Sequence, residues 1–233
     1  MGIPKPGNSN RRSGNQYTRK NSQQPLRAVP LLSQVPPKGD STSRNRKDAL
    51  RMLAAAHCSP QLLATLAGHP DYEIRQLVAD QKSCPREVLE QLSHDDVPAV
   101  RQHVVDNPTC TTAILEQLSH DPEVWVRIYV AARPTCLPAT LDSLSRDRDH
   151  RVRQNVAENK LCPAAALERL SRDRENEIRW AVAQHPNCPP AVLERLLQDQ
   201  NQAVAHVAAD HPNTLKSTRA MWQLAHNNGT SST

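Results

Sequence analysis

Six cysteines stand at Cys58, Cys84, Cys110, Cys136, Cys162 and Cys188, each 26 residues after the last. Thiolates could gather a zinc or iron ion, or pair as disulfides. The spacing opposes both. In stacked units, equivalent positions lie about one helix spacing apart, roughly 8–10 Å. A disulfide needs Cα atoms about 4.4–6.8 Å apart, and metal ligands must converge to about 2.3 Å from one point. No Cys-x-x-Cys pair occurs. The expected state is therefore six free thiols, buried as small residues in a reducing compartment, with no metal and no cofactor.

Ten histidines follow residue 56. His94 and His120 share one column of the 26-residue period, and His185 and His211 share another. None forms a His-Glu-x-x-His metal motif. Ser93-His94 and Ser119-His120 are adjacent turn residues rather than a nucleophile with an oriented base. Only six glycines occur, four of them before residue 40, so no glycine loop could cradle a phosphate. These residues predict a protein that is not an enzyme.

Two charged columns remain. Arg75, Arg101, Arg127, Arg153 and Arg179 repeat, with Asp95, Asp121, Asp147, Asp173 and Asp199 at a matching phase and His69 ahead of them. Such an Arg column could be a nucleic-acid stripe or a structural ladder. The overall charge does not decide it. The net +5 is concentrated in residues 1–48, where ten Lys or Arg face two Asp for a net +8; residues 49–233 carry 19 basic and 22 acidic residues, a net −3.

The elements that must hold these columns read as pairs of short helices. Leu89, Leu115, Leu141, Leu167 and Leu193 form one column with Leu63, and a second Leu column lies three residues later. The first helix opens at the Cys, with Pro in its first turn, where a missing N–H costs nothing. A turn ending in Asp follows. The second helix carries Val-Arg-x-x-Val-Ala, with Val100 and Val104 on one stripe. It stops near Asn107-Pro108 or His185-Pro186, because a residue before Pro is pushed out of the α region. Such short helices are marginal alone, so the units must stack. Lone helices at Asp48–His57 and Ser217–His226 are expected to cap the ends.

The motif Asn-Pro-x-Cys-Pro-x-x-x-Leu-x-x-Leu-x-x-Asp-x-x-x-x-Val-Arg-x-x-Val-Ala resembles the leucine-rich repeat variant, a bacterial family related in style to HEAT repeats. The resemblance covers about residues 45–226. It implies an all-α, right-handed solenoid of six 26-residue two-helix units, each pairing an α-helix with a shorter α- or 3₁₀-helix. HEAT-like repeats use the same Asp-to-Arg spacing as a ladder between units. Some family members carry an N-terminal cysteine-rich segment for an iron–sulfur cluster; this chain has no Cys before Cys58. A HEAT-like family of DNA glycosylases performs chemistry on such a scaffold, but its positions find no match here.

The expected organisation is a disordered basic tail at 1–44, the solenoid at 45–226 and a disordered end at 227–233. The tail is too polar to bury a core, and its basic residues could attract nucleic acid in a salt-sensitive way. Its apolar stretch, Leu26 to Val35, reads as a docking motif or a plain linker. No apolar run approaches the roughly 18 residues of a membrane helix. Met1 to Arg12 lacks the apolar core of a secretory signal, and Pro6 breaks the myristoylation pattern at Gly2. A cytoplasmic protein with no membrane partner is expected. On the second helices, Trp125, Ile128, Tyr129 and Trp180 are the large apolar residues in variable columns and the candidate anchors for a protein partner. Arg146, Arg148, Arg172 and Arg174, in two turns, are candidate phosphate contacts, interleaved with acidic residues. The expected function is a non-enzymatic scaffold for a protein partner. The alternatives are nucleic-acid binding through the tail and these turns, and a HEAT-like enzyme acting on DNA.

Overall fold

A computed structural model describes residues 42–54 and 58–227. Residues 1–41 of the expected tail, with the Leu26–Val35 stretch, and the end at 228–233 lie outside the described residues. Those described form fourteen α-helices and no strand. Short helices α2 (Pro60–Leu66), α4 (Arg86–Leu92), α6 (Thr112–Leu118), α8 (Pro138–Leu144), α10 (Ala164–Leu170) and α12 (Pro190–Leu196) have seven residues each. They alternate with longer helices α3 (Tyr72–Ala79), α5 (Pro98–Asp106), α7 (Val124–Ala132), α9 (His150–Glu158), α11 (Asn176–Gln184) and α13 (Gln202–Asp210). Both classes are α-helical. Helix α1 (Thr42–Leu53) stands at the front and α14 (Lys216–Asn227) closes the end. The front helix thus begins inside the stretch read as tail and ends earlier than the expected His57. The chain is an all-α solenoid.

Proline and short polar side chains start the helices. Pro85, Pro163 and Pro189 occupy the position before α4, α10 and α12, and Pro60, Pro138 and Pro190 lie in first turns. Ser59 and Thr111 accept backbone N–H groups at the starts of α2 and α6, and Asp71, Asp149 and Asn201 do so for α3, α9 and α13. These caps satisfy donors that no helix can pair internally.

The long helices pack on one another in succession, and each short helix from α4 to α12 packs on the long helices before and after it, as α2 does on α3. Leu63, Leu89, Leu141, Leu167 and Leu193 are fully buried, as are Ile74, Val100, Val152 and Ile178. Each pair contributes one thin layer to a continuous core, which is why no unit could bury its stripe alone. Cys84, Cys110, Cys136, Cys162 and Cys188 are buried in that core as free thiols, and Cys58 is half-buried. Burial pushes the Cys84, Cys110 and Cys136 thiols up to about 11. Burial likewise pushes Cys162 and Cys188 up to about 12.

The charged columns form a ladder between units. Arg101 grips the Asp121 carboxylate of the next unit through Nε at 2.6 Å and Nη2 at 2.8 Å. Its Nη1 donates to the Asp95 carbonyl of its own unit at 2.7 Å. Arg75–Asp95, Arg127–Asp147, Arg153–Asp173 and Arg179–Asp199 repeat the bidentate grip. Each Asp also accepts the backbone N–H two residues on, as Asp147 does from Asp149 at 2.8 Å. Burial is the largest influence and raises the Asp147, Asp173 and Asp199 carboxyls, but the Arg hydrogen bond, the backbone N–H and the Arg charge together outweigh it, and all three end below the ordinary value. They therefore add stability at neutral pH that is lost as pH falls below the ordinary carboxyl range and through their lowered values.

Two outcomes follow. Arg127→Ala leaves Asp147 buried and unpaired, so urea unfolding should show a loss of about 3–5 kcal/mol; an unchanged midpoint would remove the ladder from the account. In the native chain at pH 8, a thiol-exchange reagent should modify Cys58 readily and reach the other five only on unfolding. Rapid reaction of all six would contradict their burial.

Candidate partner-binding face

Each long helix turns its Val and Arg columns inward and leaves two others facing out. Trp125 and Tyr129 lie one turn apart on α7, and Trp180 lies on α11. All three rings are half-buried and packed against the core. Their outer parts stay accessible. Ile128 does not belong with them. Only 3% of its surface is exposed. Its column also holds Gln102, Gln154 and Trp180, which stay half-buried, so at this register Ile128 alone is lost to the core. The expectation of an exposed Ile128 anchor is corrected: it is a core residue.

The Trp125 ring already receives a cation. The Arg151 guanidinium lies 4.4 Å from its centroid. These residues are 26 apart, so the stacking of units brings them together, a consequence that sequence reading missed although the shared column was visible. Arg151 is clamped from its other side by Asp149, through Nε at 3.0 Å and Nη2 at 2.9 Å. The Arg151 hydrogen bond holds the Asp149 carboxyl down to about 2.

The same face is acidic. Its outward columns carry Glu73, Asp80, Asp106, Glu158, Glu177 and Asp210, against Arg151. Burial and the charge of Asp80 raise the Asp106 carboxyl, with Arg133 and His103 opposing. Burial, and then the charge of Asp106, raises the Tyr129 hydroxyl. Asp80 also lies 2.6 Å from Nδ1 of His103 on the next long helix. That hydrogen bond raises the His103 imidazole above its ordinary value despite burial.

Three of the four candidate Arg residues in the turns are ion-paired. Arg146 pairs with Asp142 at 3.3 Å, Arg172 with Glu168 at 3.2 Å, and Arg174 with Glu175 at 3.3 Å. Arg148 is exposed. The arrangement is a solvated mixed-charge edge. In the neighbouring turns, the Ser93 hydroxyl donates to the Glu90 carbonyl at 2.7 Å, and Nδ1 of His94 lies 3.0 Å from that same oxygen. The same Nδ1 lies 3.2 Å from the Ser93 Oγ, so the hydroxyl, the imidazole and the Glu90 carbonyl form one local cluster at the turn. Ser119, His120 and Glu116 repeat this geometry. Among the described residues, no three His, Cys, Asp or Glu are grouped to hold a metal ion, and no helix is long and apolar enough to cross a membrane.

A family model described as leucine rich repeat variant matches residues 177–201. That stretch runs from α11 through the turn after α12 and contains both partners of one rung, Arg179 and Asp199. The chain also matches a solved structure described as a leucine-rich repeat variant with a novel repetitive protein structural motif. The TM-score is 0.57 at 28% identity, over 77% of this chain and 81% of that one. Its repeats are similar to leucine-rich variant repeats. No curated protein matches the chain. In the repeats of this chain the recurring columns serve stacking, so individuality is confined to the variable columns just described.

The His103–Asp80 contact makes a testable link across two repeats. A raised imidazole contributes stability that is full below the ordinary histidine value and is lost as pH rises through the raised value. Asp80→Asn should return the His103 titration, followed by NMR, toward the ordinary value and remove that contribution. A His103 titration unmoved by the substitution would show that the carboxylate is not its partner in solution.

Proposed function

We propose that the chain is a non-enzymatic binding scaffold whose long-helix face takes a protein segment carrying Lys or Arg beside an apolar side chain. One observation carries this reading: the half-buried rings of Trp125, Tyr129 and Trp180 lie on the long helices, which also bear Asp106, Glu158, Glu177 and Asp210, carboxylates outside the Arg–Asp rungs. Aromatic anchors supply most of the energy in protein recognition, and carboxylates around them favour a basic partner through steering and register. The same carboxylates repel phosphate, and nucleic-acid binders present a basic face instead. Any attraction to nucleic acid on this reading belongs to the basic residues before Asp48.

Panning a displayed random-peptide library on the full-length chain tests the proposal. The enriched peptides should be rich in Lys and Arg. Tyr129→Ala and Trp180→Ala should each weaken a selected peptide about 30-fold, equivalent to about 2 kcal/mol, while the melting midpoint stays within a few degrees. Selected peptides that bind both variants as well as the parent chain would place the site elsewhere. Duplex DNA that binds at physiological salt and depends on Trp180 would replace the protein-partner reading with nucleic-acid recognition.

A further inference from the structure

One column does a second coupling job with changing residue types. Asn107 donates through its amide to the Ala79 and Gln81 carbonyls of the preceding repeat, and Asn159 donates to those of Ala131 and Arg133. Arg133 reaches the Asp106 and Asn107 carbonyls, both at 3.2 Å. These donors keep their protons throughout the physiological range. The last two positions, His185 and His211, keep the donating proton too but can gain a second one within that range.

Both histidines are buried, at 3% and 7% exposure. Nε2 of His185 lies 3.0 Å from the Asn159 carbonyl oxygen, and its Nδ1 accepts the Asn187 backbone N–H at 3.1 Å. Nε2 of His211 lies 3.1 Å from the His185 carbonyl oxygen, and its Nδ1 accepts the Asn213 N–H at 3.1 Å. A ring held this way is neutral, with its proton on Nε2. A second proton, on Nδ1, would point one N–H at another. The charged groups facing the rings are cationic when protonated: His211 beside His185, and Arg219 of α14 beside His211. Glu158, Lys160 and Asp210, adjacent in the chain to the carbonyl-bearing turns, are exposed. The helix ends would favour a cation, but burial prevails and lowers both imidazoles.

The position of these rungs matters. Ala205 stands where the Arg column would continue, so no Arg–Asp rung follows Asp199. The links from α13 and α14 to the rest include the His211 rung, the Asn213 amide to the Pro186 and Cys188 carbonyls, and the Trp222 N–H to the Leu197 carbonyl. We propose that His185 and His211 form an acid-sensitive latch that holds the C-terminal end of the solenoid on the preceding repeats, His211 tying α13 and α14 to the end of α11 and His185 tying that end to α9, and releases it when the rings are protonated. The sign follows from linkage. The open end binds protons at the ordinary histidine value and the closed end binds them lower, so closure is favoured above about pH 6.5 and weakens as pH falls. Release uncovers Leu193, Leu196 and Leu197, now buried, as a new apolar surface.

Hydrogen exchange of the full-length chain at pH 7.5 and 5.5, corrected for intrinsic rates, tests the latch. Below pH 6.5, amides in residues 202–225 should open up to about tenfold more per pH unit for each histidine, while those in 98–158 change little. The variant His185→Asn with His211→Asn installs the residue that already serves at 107 and 159. It should melt near the parent at pH 7.5 and lose the acid response. An equal response in the variant, or acceleration spread evenly along the chain, would overturn the proposal. So would NMR titration of the parent placing either ring at or above the ordinary histidine value, or its neutral proton on Nδ1.

Discussion

The fold depends on a planar guanidinium that touches two repeats at once. Each ladder Arg donates two bonds to the next repeat's Asp and a third to a carbonyl of its own turn. The Asp in turn fixes the backbone entering the following long helix. One side chain therefore sets the spacing of two layers and the geometry of both turns. Helices of seven to nine residues have little stability of their own. Apolar burial supplies most of the driving force, but it is non-directional. The bidentate rung adds direction, because Arg and carboxylate match only in one plane.

This arrangement determines the character of the surface. Arg75, Arg101, Arg127, Arg153 and Arg179 spend their charge between repeats, and four of the five are buried. Acidic residues on the outward columns face few compensating cations. The long-helix face becomes negative with aromatic rings set into it, although the chain as a whole is basic. The internal rungs and the outer face are thus two results of one allocation of charge.

Much of this was legible in the sequence. The 26-residue period, the Leu and Val columns and the Arg-to-Asp phase all follow from residues that recur because stacking requires the same shape each time. The second ladder was not legible. Asn107, Arg133, Asn159 and His185 share only the ability to donate a hydrogen bond, so no residue type repeats to reveal them. The stop of the long helices was read as an effect of proline, yet Asn159 precedes Lys160 and adopts the same extended backbone as Asn107; its amide bonds to the preceding repeat accompany that turn. Ile128 was misplaced because an i, i+4 stripe marks one buried face, whereas a helix inside a layer also buries its flanks. Trp125, Tyr129 and Trp180 stood out as large rings in variable columns, but the Arg151 clamp on Trp125 required the stacking to be known.

A double-mutant cycle on Arg127 and Asp147 tests the central claim most directly. Urea unfolding of the parent, Arg127→Met, Asp147→Leu and the combined variant measures how strongly the two side chains depend on each other. The ladder predicts a coupling of about 1–3 kcal/mol, with the combined variant more stable than the sum of the single losses implies. Additive single losses would mean that the repeats are joined by apolar packing alone, with the Arg–Asp rungs as bystanders.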